Sequence, residues 1–351
     1  MANPWMDKLR QINPYVPGEQ SKDPDLVKLN ANENPYPPSP RVEETMRNFR
    51  PERLRFYPDA NSGNLRAALA KKINVSGDMI FMGNGSDDVL ALCWQAFFCS
   101  DLPILYPDIT YSFYPVWCSL FRTPYENVPL TADFRIDPRS FDKPNGGIIF
   151  PNPNAPTGIG EGLDFIEDIL QHNQDCIVII DEAYIDFGGT SCIPLLEKYK
   201  NLVVVQTMSK SRSLAGLRVG YAIAAPELIA TLEAVKNSYN SYTMDMLTLN
   251  CATASVEDED YFRASCQKVI ATRERTMQEL SALGFTVLPS QANFVFAEHK
   301  MVPAKEIFEK LKAKKIFIRY FKLPRIDNHL RITIGTDDEM DKLFSALKEI
   351  L

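Results

Sequence analysis

Five short, almost unbroken apolar runs lie between residues 80 and 205: Ile80-Phe81-Met82, Pro103-Ile104-Leu105-Tyr106, Gly147-Ile148-Ile149-Phe150, Ile177-Val178-Ile179-Ile180 and Leu202-Val203-Val204-Val205. A strand apolar at every position has both faces buried, as in a parallel sheet covered by helices on both sides. Each run gives way to a loop of small and polar residues, and helical patterns recur between them. This order, repeated from Ile80 to about Ala224, predicts a doubly wound α/β domain. Such sheets bind ligands just beyond the carboxyl ends of their strands. The polar loops are therefore where chemistry is expected.

From Phe285 the texture changes to short strands, at about 285–288, 293–296, 316–319 and 330–334, interleaved with helices at about 303–313 and 337–350. That pattern predicts a smaller α+β domain. The expected division is an N-terminal arm and small-domain segment over 1–40, a large α/β domain over 41–250 and the small domain over 251–351.

Net charge is -7 with no basic stripe, which argues against nucleic acid as a partner. The longest uncharged helical run, Val89 to Ser100, is too short to cross a bilayer. Met1 to Arg10 lacks the apolar core of a secretory signal. Seven cysteines at scattered positions, none in a C-x-x-C pair, read as reduced thiols of a cytoplasmic protein. Three well-separated histidines give no metal-ligand spacing, so no metal is expected.

Four stretches of the α/β domain carry candidate chemistry. Gly83-Asn84-Gly85-Ser86-Asp87-Asp88 is a glycine turn feeding a helix, whose free amides suit a phosphate, although Ser and Asp serve equally as N-caps there. Tyr111 follows a strand, where its ring could cover a bound heterocycle or simply fill the core. Asp181 directly follows four aliphatics, a costly place for a carboxylate without a cationic partner, and Tyr184 is three residues on. Lys210 lies beyond the Leu202-to-Val205 strand among Ser209, Ser211 and Ser213, with Arg218 eight residues later. In the small domain, strand alternation puts Arg331 and Thr333 on one face. Arginine there is a ready carboxylate fork or a solvated edge residue.

The segment Thr207-Met208-Ser209-Lys210 through Arg218-Val219-Gly220 closely resembles the cofactor-lysine motif of fold-type-I pyridoxal-phosphate aminotransferases. From Leu29 to Thr336 the motifs resemble the histidinol-phosphate aminotransferase family within the class I/II type. They include Asn30 to Pro35, Tyr57-Pro58-Asp59, Asn152 to Gly158 and Leu330 to Thr336. The resemblance implies the aspartate aminotransferase-like fold, a homodimer, and pyridoxal 5'-phosphate held covalently by Lys210. It implies that Asp181 pairs with the ring nitrogen, Tyr184 bonds the ring hydroxyl and Tyr111 stacks on the ring. Gly85, Ser86, Asp87, Ser209 and Arg218 would hold the cofactor phosphate, with Tyr57 coming from the other subunit. Arg331 would bind the glutamate carboxylate, and Tyr15 and Arg319 the phosphate of histidinol phosphate, with Asn32 also in the substrate site. The family's asparagine before Pro-Thr-Gly is Ala155 here, so either Asn154 reaches the ring hydroxyl or Tyr184 works alone. The implied reaction moves an amino group between L-histidinol phosphate and 2-oxoglutarate, in histidine biosynthesis. An aromatic aminotransferase and a phosphothreonine decarboxylase share the scaffold and remain open at this point.

Overall fold

The computed structural model describes residue 3, residues 5–16, residue 19 and residues 25–351. Pro17 and Gly18, within the expected N-terminal arm, lie outside the described residues. In chain order the strands are β1 (Val27–Leu29), β2 (Ile80–Gly83), β3 (Ile104–Pro107), β4 (Tyr125–Val128), β5 (Gly147–Pro151), β6 (Val178–Asp181), β7 (Leu202–Thr207), β8 (Gly220–Ala224), β9 (Phe285–Val287), β10 (Phe294–His299), β11 (Ile316–Tyr320) and β12 (Leu330–Thr333). The helices are α1 (Pro40–Arg47), α2 (Gly63–Ile73), α3 (Ser86–Phe97), α4 (Tyr114–Phe121), α5 (Leu163–His172), α6 (Pro226–Tyr239), α7 (Met246–Val256), α8 (Glu259–Ala282), α9 (Ala304–Ala313) and α10 (Asp337–Ile350).

The large sheet runs in the order β2-β8-β7-β6-β5-β3-β4. All its pairings are parallel except those of β8, which is antiparallel to both β2 and β7. The apolar runs do what their composition demands. Ile148, Phe150, Val178, Ile180 and Val204 pack on one face with α2, α5 and α7. Ile149, Ile179, Val203 and Val205 pack on the other with α3, α4 and α6. Alternate residues of each strand thus enter different cores, which explains why neither face needed polar side chains.

The second sheet, in the order β1-β11-β12-β10-β9, is covered by α8, α9 and α10 around a core that includes Phe294, Ile307, Leu311, Ile332 and Leu343. Its strand β1 comes from the Pro-rich N-terminal stretch and pairs parallel with β11. The next residues, Asn30 to Asn34, then cross to the large sheet. Asn34 Nδ2 donates to the Lys210 carbonyl at 3.1 Å. The chain thereby stitches the two sheets together at the carboxyl ends of β6 and β7, where the cavity lies.

Candidate active site

A cavity of about 700 Å³ opens between the two sheets, beyond the carboxyl ends of β3, β5, β6 and β7. Strand β6 ends in Asp181, which is 4% exposed. Among the described residues no lysine or arginine pairs with it. Ala183 N–H donates to it at 3.2 Å and the Tyr114 hydroxyl at 3.5 Å. Burial, with Asp87 and Glu182 nearby, pushes its pKa up to about 7. A cationic partner was expected from the sequence. The structure instead aims this carboxylate into the cavity with only neutral donors, leaving it free to pair with a protonated ring nitrogen of a ligand.

Beyond β7 stands Lys210. Its Nζ donates to the Ala31 carbonyl at 3.3 Å and lies 5.9 Å from the centre of the Tyr184 ring. Burial first, and then the charge of Arg331, bring its pKa down to about 8. A larger fraction of the amine is neutral at physiological pH than for an exposed lysine, as a nucleophile toward an aldehyde requires. The Tyr184 hydroxyl accepts from Asn32 Nδ2 at 2.9 Å. Asn32 is fixed in turn by Thr333, through bonds of 3.0 and 3.1 Å, and by Asn293 at 3.0 Å.

Helix α3 begins at Ser86, earlier than the helical pattern suggests, so the glycine turn is its N-terminus. Its first amides have no partner within the helix. Gly85 has φ +88 and packs under Arg218; a Cβ there would stand 2.4 Å from Arg218 Nη2. Gly220 at the start of β8 packs against the same turn, where a Cβ would meet Ser86 N at 2.3 Å and the Gly85 carbonyl carbon at 2.4 Å. Arg218 bonds Asp87 Oδ2 at 3.2 Å and Ser209 Oγ at 3.4 Å, and the Tyr111 hydroxyl bonds Asp87 Oδ1 at 2.8 Å. Amides at a helix start, an arginine and a serine hydroxyl together suit a phosphate.

At the other end of the cavity Arg319 on β11 and Arg331 on β12 are direct partners in antiparallel register. Like charges so placed repel. Arg331 bonds the Asn30 carbonyl at 3.0 Å, but its buried Nε has no partner among the described residues. Burial, with Arg319 beside it, lowers its pKa. An orphaned donor within an arginine pair is the mark of an anion site. Tyr15 lines the same end and stacks on Phe113 at 4.3 Å.

Of the residues singled out in the sequence, Tyr15, Asn32, Ser86, Asp87, Tyr111, Asp181, Tyr184, Ser209, Lys210, Arg218, Arg319 and Arg331 all line this one cavity. Gly85 supports it from behind. Asn154 does not line it. Its side chain is committed to the Ile109 carbonyl and the Thr157 hydroxyl, both at 3.1 Å, and accepts from Thr110, while Ala155 faces the cavity. The shift of asparagine by one position thus turns its amide into the loop. Tyr57 is also absent from the lining. It is 79% exposed and stacks on Tyr242 at 4.6 Å. Sequence reasoning missed Tyr114, Asp108 and Arg325. Tyr114 sits in an uncharged helical stretch, and the other two meet only in three dimensions.

A pyridine ring bearing a phosphate fits these groups. A buried acid lacks a counterion, an amine is held partly neutral, and a phosphate cradle stands at a helix start. Residues 24–347 match the family model for class I and II aminotransferases, and the chain belongs to that family. Its full-length relatives narrow the likeness. Histidinol-phosphate aminotransferase of Acinetobacter baumannii (strain SDF) is 53% identical over 348 residues, 98% of this chain and 96% of the relative. Histidinol-phosphate aminotransferase 2 of Dechloromonas aromatica (strain RCB) is 52% identical over 100% of this chain and 99% of its own. Among solved structures, histidinol-phosphate aminotransferase from Sinorhizobium meliloti, in complex with pyridoxal-5'-phosphate, superposes with a TM-score of 0.82 at 25% identity, covering 92% of this chain and 90% of that one.

Proposed function

We propose that the chain is a pyridoxal-phosphate-dependent histidinol-phosphate aminotransferase, exchanging an amino group between L-histidinol phosphate and 2-oxoglutarate in histidine biosynthesis. The observation that carries the substrate reading is the facing pair Arg319 and Arg331 at the cavity end opposite the phosphate cradle. Two neighbouring cations there suit a substrate bearing phosphate or carboxylate, and Tyr15 adds a hydroxyl.

Bound pyridoxal phosphate supplies an aldehyde that accepts amino groups and a ring that draws electrons from the substrate carbon. The protein's part is positional and electrostatic. Lys210 holds the cofactor between turnovers and, once released, moves a proton to and from the substrate Cα. Asp181, as an anion, would pair with the ring nitrogen and keep it protonated. Tyr184, held by Asn32, would bond the ring hydroxyl, and Tyr111 would stack on the ring. Ser86, Asp87, Ser209 and Arg218 anchor the phosphate. Arg319 and Arg331 take the substrate's anionic group.

The homodimer reading is supported by exposed Leu54, Phe56 and Tyr57, an apolar strip that a second copy would cover while bringing Tyr57 to its partner's phosphate. A cytoplasmic location is supported by seven free cysteines. The test is a half-reaction screen. Histidinol phosphate should shift the bound cofactor's spectrum at lower concentration than phenylalanine, tyrosine or phosphothreonine, with 2-oxoglutarate regenerating the starting spectrum. Release of carbon dioxide from phosphothreonine, or preference for an aromatic amino acid, would overturn it.

A further inference from the structure

The connection between β11 and β12, residues 321–329, joins the two strands that carry Arg319 and Arg331. Phe321, Leu323, Pro324, Arg325 and Ile326 along it wall the cavity. Ile326 packs into the large sheet's core and the His329 ring lies 5.2 Å from that of Phe134, while Arg325 reaches across to the large sheet's loops by hydrogen bonds. Its guanidinium donates to Asp108 Oδ2 at 3.1 Å, to the Leu130 carbonyl at 2.9 Å and to the Thr131 carbonyl at 2.6 Å. It also stands 5.5 Å from the centre of the Phe134 ring. Asp108 is fixed as well, its Oδ1 accepting from Leu130 N at 2.9 Å. Arg325 and Phe134 both have left-handed backbones, with φ of 70° and 62°. Residues with side chains adopt that conformation when surrounding contacts impose it. A single half-exposed ion pair would hold little. A fork closing on three acceptors, two of them backbone carbonyls, is a different matter, and lysine's single ammonium cannot reproduce it.

We propose that Arg325 is a positioning residue for the substrate. It latches the hairpin that carries Arg319 and Arg331 onto the loops after β3 and β4, and so sets the distance between the anion-binding arginines and Lys210. Naming the substrate rests on the proposed function; the latch itself does not.

The experiment uses cofactor-loaded protein with Arg325→Ala, Arg325→Lys and Asp108→Asn. Hydrogen–deuterium exchange in residues 321–329 should rise in Arg325→Ala, and in part in the other two. KM for histidinol phosphate and for glutamate should rise together, about ten- to hundredfold in Arg325→Ala. The kcat should fall less, and the affinity for pyridoxal phosphate should stay at the wild-type value. Combining Arg325→Ala with Asp108→Asn should add little to Arg325→Ala alone. Unchanged exchange in 321–329 overturns the latch, as does a loss of cofactor affinity matching the loss in KM, which would mean general loosening. If wild-type protein does not turn over histidinol phosphate, the functional reading fails, while the exchange measurement still decides the latch.

Discussion

Replacing Asp181 by asparagine is predicted to raise the melting temperature of the cofactor-free protein while weakening its hold on pyridoxal phosphate. The carboxyl is buried without a cationic partner, and burial lifts its pKa from 3.8 to about 7. An acid with a raised pKa in the folded state binds its proton more tightly there than in the unfolded chain, so stability falls as the pH climbs. The penalty is absent below about pH 4, grows between the two pKa values and is complete above about pH 7. At about 1.4 kcal/mol per pH unit it reaches roughly 4 kcal/mol. Water entering the cavity brings the expected value nearer 2–4 kcal/mol. With an unfolding entropy of about 2 cal/mol/K per residue, a chain of this length gains roughly 3–6 °C. The assay is a pair of thermal melts, wild type and Asp181→Asn, stripped of cofactor, at pH 8 and pH 5. The gain at pH 8 should shrink by more than half at pH 5. Spectroscopic titration should show weaker cofactor binding by the variant, and steady-state assays should show most activity gone. An Asp181→Asn protein that melts at or below the wild-type temperature at pH 8 would refute the desolvation argument. Wild-type turnover would refute the role.

Lys210, held near pKa 8 by burial and by Arg331, should capture cofactor at a rate that rises through pH 8 and then levels off. Arg331→Gln should move that midpoint upward, because losing a nearby cation favours the protonated amine; a wild-type midpoint above pH 10 would contradict both statements. Arg319→Ala should raise KM for histidinol phosphate far more than for glutamate, and equal effects on the two would remove the argument for a phosphate-bearing substrate. Gly220→Ala forces a Cβ against the backbone of Gly85 and Ser86, so it should cost about 1–3 kcal/mol in denaturant melts and weaken cofactor binding at least tenfold. Gly216→Ala, where no atom lies within 4 Å of the added carbon, is the matched control and should leave both unchanged.

The strands that end at the cavity were legible because burial on both faces leaves them no polar positions. The Lys210, Asp181 and Gly83-to-Asp88 stretches were legible because each follows such a run. The direction of β8 was not, since Gly220 to Ala224 is apolar in either orientation and only pairing with β2 and β7 sets it. The three-residue strand β1 is hidden among prolines and is made a strand by β11 beside it. Helix α4 lacks a polar face because Trp94, Tyr106 and Tyr111 pack their rings around Tyr114. Glu182 directly follows Asp181 in the chain, yet it points to the opposite side of β6. There it accepts from Ser191, Cys192 N and Gln206, each at 2.7 Å, and Gln206 accepts from Tyr221 at 2.8 Å. That chain ties together the strands that deliver Asp181, Lys210 and Arg218, and no local pattern announces it.

The facing arginines of β11 and β12 bear on how the protein is handled. A fold that sets two guanidinium groups side by side is relieved by any small multivalent anion that settles between them. Sulfate or phosphate in a purification buffer would then stabilise the preparation by occupancy alone, and compete with the substrate in the same tube. Michaelis constants for anionic substrates belong in buffers such as HEPES at matched ionic strength, or the solvent's own anions will be read as poor affinity.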